Sequence, residues 1–132
     1  MGERPPLSKA EMEVACIVWR LGEAAVGEVF EAFPVPRRPD YAAVQTYLRR
    51  LEAKGYLRTR RRGRAKIYGP AVRPSQVVRE TVEDFVNRLF GGQAMLLFQH
   101  LIEERGISDQ EVRQLRRMLR RWEDQSDETA ER

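Results

Sequence analysis

Cysteine and histidine are nearly absent: Cys16 and His100 stand alone among 132 residues. One cysteine forms no internal disulfide, and the two residues together offer too few ligands for a cysteine-based zinc site. A catalytic dyad of Cys16 with His100 would need two separate helices to meet, and no pattern predicts that. Long apolar runs are also missing. Runs such as Ala94 to Phe98 span about five residues and Val14 to Trp19 spans six, whereas a membrane helix needs roughly 20. No glycine-rich phosphate loop occurs, since Gly91-Gly92 opens no such pattern. The carboxylate pairs Glu103-Glu104 and Glu123-Asp124 lie at polar helix ends, where solvation explains them better than acid–base chemistry. These absences argue against an enzyme, and no cofactor or metal is expected. The opening stretch MGERPPLSKAEME is polar and lacks the apolar core of a secretory signal. Together with the lone cysteine it predicts a soluble protein of the reducing cytoplasm.

Hydrophobic residues make up 42% of the chain, enough for a core, and charged residues a high 33%. The length suits one ordinary domain or two very small ones. The net charge of +4 is unevenly placed. Arg37 to Lys66 holds eleven basic residues against Asp40 and Glu52, a net of +9 that leaves −5 for the rest. Such a field suggests a polyanionic partner, nucleic acid before acidic membrane.

Local patterns give that charge a scaffold. Ser8-Lys9-Ala10-Glu11 reads as a capping box. Met12, Ala15, Cys16 and Trp19 then recur on one helix face, which would make Cys16 a buried structural thiol. Gly22 ends this helix. A second, short helix is expected over Val26 to Phe33, with Val29, Phe30 and Phe33 inward. Pro34, Pro36 and Pro39 forbid helix through the next loop. Asp40 caps a third helix running to about Lys54, with Val44, Leu48 and Leu51 buried, and Gly55 stops it. The period then changes: Tyr56 to Arg60 reads as a strand, Arg62-Gly63-Arg64 as a turn, and Ala65 to Tyr68 as the returning strand. Three helices followed by a basic hairpin make a winged helix-turn-helix.

With its apolar stripe inward, the third helix shows Ala42, Thr46 and Arg49 outward, flanked by Gln45 and Arg50. Small or amide-bearing residues at its N-terminal end suit entry into a major groove about 12 Å wide. Gln45 suits an adenine edge, Thr46 a base or a thymine methyl, and Arg49 and Arg50 phosphates or a guanine. The wing arginines Arg60, Arg61, Arg62 and Arg64 would lie along the backbone or minor groove, adding affinity more than sequence choice.

Beyond Pro70 and Pro74, Val78, Val82, Phe85, Val86 and Leu89 mark another amphipathic helix, broken at Gly91-Gly92. A short apolar helix over about Gln93 to Glu104 follows. A second capping box, Ser108 to Glu111, opens a last helix with Val112, Leu115, Leu119 and Trp122 inward. The polar tail from about Asp124 is expected to fray. Met95, Leu96, Leu97, Phe98, Leu101 and Ile102 cover most of one helix circumference, more than three short helices can bury alone. A second chain is the expected cover, with Phe85, Leu89, Leu97, Phe98, Leu101, Leu115, Leu119 and Trp122 at the contact. A symmetric dimer would offer two recognition helices to a palindrome. The expected fold is thus mainly α with a small β wing. The expected divisions are residues 1–72, a winged-helix DNA-binding domain; 73–124, a helical dimerisation domain; and 125–132, a polar tail.

From about Leu7 to Trp122 the chain resembles the BlaI/MecI family of penicillinase repressors. The resemblance is carried by LSKAEMEVACIVW, by VQTYLRRLEAKGYLRTRRRGRAKIYGP, and by FVNRLFGG followed by ISDQEVRQLRRML. It implies a dimeric transcriptional repressor binding a dyad operator, with operator contacts at Ala42, Ala43, Gln45, Thr46, Arg49 or Arg50, and the wing. In the antibiotic-sensing members a membrane sensor protease signals cleavage in the C-terminal domain. The matching bond lies near His100-Leu101, where this chain departs from the Asn-Phe pair of those members. The paired Cys-x-Cys motifs of the copper-responsive branch are absent. Two other readings are a regulator binding a small molecule among Phe85, Leu89, Phe98 and Trp122, and a winged-helix interaction module that binds no DNA. The +9 segment argues against the latter.

Overall fold

A computed structural model describes residues 4–131, with side chains through Thr129. The first three residues of the opening stretch and Arg132 of the expected tail lie outside the described residues. Two compact units form, Met1–Glu80 and Thr81–Arg132.

In the first unit, α1 (Lys9–Leu21) opens with the expected capping box. The Glu11 amide donates to Ser8 Oγ at 3.1 Å, and the Ser8 amide donates to Glu11 Oε1 at 2.9 Å. Its inner face differs from expectation. Val14, Ala15, Ile17 and Val18 are buried, Met12 and Trp19 only half-buried, and Cys16 exposed. Two stripes offset by one residue compete on this helix. The one carrying Val14, Ile17 and Val18 offers more branched apolar surface, and it wins although it also buries Glu11. Cys16 is therefore no core thiol.

After Gly22, Ala24–Ala25 form a short strand, β1, which sequence reading left as an apolar stretch. The second helix, α2 (Val26–Ala32), stops one residue before its expected end. Phe33 precedes Pro34 and is extended at φ −68°, ψ 138°, as a residue before proline prefers. The prolines do not exclude all helix: Val35–Arg37 makes one 3₁₀ turn, with Pro36 in the first turn where no amide is required. The third helix, α3 (Tyr41–Ala53), is capped by Asp40, whose Oδ1 accepts from the Ala43 amide at 2.7 Å. Its Val44, Leu48 and Leu51 are completely buried. They pack with α1, with Val29 and Phe33, and with Tyr56, Leu57 and Tyr68 of the hairpin region.

The hairpin strands β2 (Leu57–Arg62) and β3 (Ala65–Pro70) are longer than predicted. The sheet is antiparallel with order β1-β3-β2. Arg62 pairs with Ala65, so the turn is the two-residue loop Gly63-Arg64. Gly63 at φ 61° supplies the positive φ that such a loop needs at its first position.

A long helix, α4 (Pro74–Phe90), begins in the first unit and continues into the second. Gly91 and Gly92, at φ 58° and 85°, break it as predicted. Next come α5 (Ala94–His100) and a wider π turn over Leu101–Arg105. The last helix, α6 (Asp109–Glu131), opens with the second expected capping box, the Glu111 amide donating to Ser108 Oγ at 3.1 Å. It runs through the segment expected to fray from Asp124, because no glycine or proline follows Gly106 to stop it. Among the described residues no helix is long and apolar enough to cross a membrane.

Candidate nucleic-acid interface

The buried stripe of α3 decides which of its side chains face out. Ala42, Arg49 and Arg50 are exposed, whereas Ala43, Gln45 and Thr46 are half-buried along the flank. Thr46 Oγ1 donates back to the Ala42 carbonyl at 3.0 Å, so its hydrogen is engaged within the helix. A methyl and an oxygen lone pair remain for a partner. Arg50 lies 6.0 Å from the Tyr47 ring centroid. Among the described residues Arg49 forms no ion pair.

The C-terminal end of α3 is clamped from beneath. Lys54, its cap residue, donates from Nζ to Glu11 Oε1 at 2.6 Å and to the Pro6 carbonyl at 2.9 Å. The Glu11 side chain is only 3% exposed. Burial alone pushes its carboxyl up, but the Lys54 ammonium and the Ser8 amide and hydroxyl outweigh burial, and its pKa lies below the ordinary carboxylate value. Tyr56 adds a bond from its hydroxyl to the Pro5 carbonyl at 2.7 Å. The end of α3, the start of α1 and the preceding arm are thus tied at one polar knot, which sequence reading did not foresee.

The wing arginines divide by the pleat of β2. Arg58, Arg60 and Arg62 share one face, and Thr59 and Arg61 the other. Arg60 and Arg62 both pair with Glu23. On the opposite face Glu52, on α3, accepts from Thr59 Oγ1 at 3.0 Å and pairs with Lys66 at 3.3 Å. Arg37 pairs with Glu13 at 3.0 Å, and Arg38 donates to the Glu31 and Phe33 carbonyls. The eleven basic residues are therefore not equivalent. Arg49, Arg58, Arg61 and Arg64 are exposed with no ion pair among the described residues, whereas Arg60 and Arg62 are engaged. Arg58 was counted in the basic segment but not singled out as a contact. Glu23 and Glu52 were not recognised as counter-ions, because nothing local in the sequence links them to the wing.

The residues expected at a dimer contact lie in the second unit, and most of them are exposed apolar side chains, as are Met95, Ile102 and Met118 beside them. Trp122 is 67% exposed, Leu89 63%, Leu119 61%, and Phe85 and Phe98 48% each. Leu115 is also exposed, while Leu97 and Leu101 are half-buried. Leu115, Leu119 and Trp122, expected inward on α6, thus face solvent in the single chain. His100, exposed, ends α5, and the Leu101 amide donates to the Leu97 and Phe98 carbonyls, so the bond between His100 and Leu101 lies within continuous helical backbone.

Comparison with known proteins places this architecture. The chain is 27% identical over 119 residues to the penicillinase repressor of Bacillus licheniformis, covering 90% of this chain and 93% of that one. It is 26% identical over 113 residues to the methicillin resistance regulatory protein MecI of Mammaliicoccus sciuri, covering 86% and 92%. Among solved structures, the DNA-binding domain of the repressor BlaI superposes with a TM-score of 0.50 at 31% identity, over 57% of this chain and 92% of that domain. These relatives are repressors and regulatory proteins, and the chain is no enzyme. The family profile described as penicillinase repressor matches residues 7–121, and with the winged helix already in place the chain belongs to that family.

Proposed function

We propose that this chain is a sequence-specific DNA-binding repressor that acts as a homodimer on a palindromic operator. One observation carries the reading. The exposed face of α3, with Ala42 and Arg49, and the wing residues Arg61 and Arg64 belong to the winged-helix unit, the three arginines form no ion pair among the described residues, and the chain superposes over part of its length on the BlaI DNA-binding domain. In this reading α3 enters the major groove. Gln45 and Thr46 read base edges, Ala42 and Ala43 permit close approach, and Arg49 and Arg50 reach a guanine or phosphates. The wing arginines hold the backbone.

The exposed apolar side chains of the second unit support the dimer. Surfaces such as Trp122, Leu119 and Leu89 gain about 25 cal/mol per Å² when a second copy removes them from water. A twofold pair then matches two half-sites. Residues 1–72 act as the DNA-binding part and 73–124 as the dimerising part. Release by proteolysis near His100-Leu101, under a membrane sensor protease, also belongs to this reading. The adjoining π turn, Leu101–Arg105, supports it, because irregular helical turns open locally more readily than regular ones.

The experiment is a titration of the full chain into the DNA upstream of its own reading frame, with random duplex as control, at two salt concentrations. Tight, salt-sensitive, promoter-preferring binding by a dimer is expected. Equal weak binding to both DNAs would overturn the reading.

A further inference from the structure

Glu23 follows Gly22 on the turn between α1 and β1, and its carboxylate reaches two guanidiniums of the wing. Arg60 donates to both oxygens, from Nε to Oε2 at 3.1 Å and from Nη2 to Oε1, and Arg62 Nη2 donates to Oε1 at 3.3 Å. Register makes this possible, because Arg60 and Arg62 are two residues apart on β2 and so project from one face of the hairpin. The Arg60 hydrogen bond outweighs the desolvation of Glu23 and, with the charges of Arg60 and Arg62, holds its carboxyl below the usual range. Glu23 is therefore ionised throughout the neutral range. Among the described residues Arg58, Arg61 and Arg64, in the same hairpin, have no such partner.

A phosphate approaching this face meets two arginines already held by a carboxylate, with a negative charge between them. To contact the phosphate they must leave Glu23 or share it. The cost falls hardest on random DNA, where a protein held by backbone contacts alone must draw the arginines from Glu23, whereas at a cognate site base contacts from α3 hold the duplex and the two arginines need not leave Glu23. We infer that Glu23 is a specificity-determining residue, competing with DNA phosphates for Arg60 and Arg62 and so suppressing binding to DNA at large. The inference rests on the DNA-binding reading of this unit.

One set of titrations tests it. The full chain is compared as wild type, as Glu23→Gln, and as Glu23→Gln combined with Arg60→Gln and Arg62→Gln. Each is titrated against the promoter DNA and a random duplex of equal length over a range of salt. Glu23→Gln is expected to bind random DNA several-fold tighter at low salt and to lower the promoter-to-random ratio. Its logarithmic salt slope should steepen by about 1–2, since each phosphate neutralised adds about 0.9. The combined variant should lose that gain, and Glu23→Ala, with an unchanged melting curve, should move the slope as Glu23→Gln does. An unchanged slope and ratio in Glu23→Gln would overturn the inference, as would weaker random binding. A gain that persists without the two arginines would also overturn it, by showing a bare charge effect. Wild-type protein with no salt-sensitive DNA binding would refute the underlying reading as well.

Discussion

Lys54→Met removes the ammonium that faces the buried Glu11 carboxylate while keeping most of the apolar stem. Glu11 is 3% exposed and Lys54 25% at the side chain, and their contact is 2.6 Å. Removing one partner of a buried pair costs about 3–5 kcal/mol, because a charge is left without compensation. The lower end applies here, since the Ser8 amide still donates to Glu11 and Lys54 is partly open to water. About 3 kcal/mol corresponds to a fall of about 12–24 °C in the melting temperature of a unit this size. The assay is thermal unfolding of the full chain followed by Trp19 fluorescence, in a Trp122→Phe background so that only the first unit reports. The pH dependence has a definite sign. In the wild type the Glu11 pKa is lowered, so its stabilisation is fully present above its unfolded value and is lost as pH falls through the folded value. In Lys54→Met burial dominates and raises the folded pKa. The penalty is then largest at neutral pH and shrinks as pH falls through that raised value. The two stability profiles should therefore converge toward acid. Adding Glu11→Gln should recover much of the loss, because a neutral amide keeps one hydrogen bond without the buried charge. A melting shift under about 3 °C, or parallel pH profiles, would refute the reasoning and reduce the knot to an ordinary solvated pair.

Three further outcomes are expected. Arg49→Ala should weaken promoter binding by about 1–3 kcal/mol in equilibrium titration, as loss of one good base contact does, with little change in random binding; equal loss on both DNAs would make Arg49 a phosphate contact. Arg61→Ala and Arg64→Ala should each flatten the salt slope by about 0.9, and Arg60→Ala by less, because Arg60 pairs with Glu23 whereas the other two have no ion pair among the described residues. Phe98→Glu should convert the proposed dimer to a monomer by light scattering with the first unit still folded; a variant still dimeric would move the contact elsewhere.

The parts of this fold that were legible in the sequence are those fixed by short-range chemistry. Ser8 with Glu11, Asp40 with the Ala43 amide, and Ser108 with Glu111 each settle a helix start within three residues. The stripe of Val44, Leu48 and Leu51 settles the inner face of α3 because no competing stripe on that helix is as apolar. On α1 the same method chose the wrong face. Met12, Ala15, Cys16 and Trp19 match helical spacing as well as Glu11, Val14, Ala15 and Val18 do, and a glutamate counts against the second set. What admits Glu11 to the core is Lys54, forty-three residues away. A buried charge is tolerated only with its partner in place, and a local pattern has no access to that partner.

The same limit governs the interface. Counting charge from Arg37 to Lys66 located the basic surface but weighted its members equally. The acids that distinguish them enter from outside the hairpin, Glu52 from α3 and Glu23 from the turn after α1, thirty-seven residues before Arg60. β1 was missed for a related reason, since two alanines carry no strand signal and are ordered only by pairing with Ile67 and Tyr68. Charge density in a sequence is therefore an upper bound on the charge a surface offers to DNA. Arg49, Arg58, Arg61 and Arg64 present their full charge, whereas Arg60 and Arg62 present only what Glu23 releases. Two winged helices with the same number of wing arginines can then differ in salt dependence through a single carboxylate that neither hairpin contains.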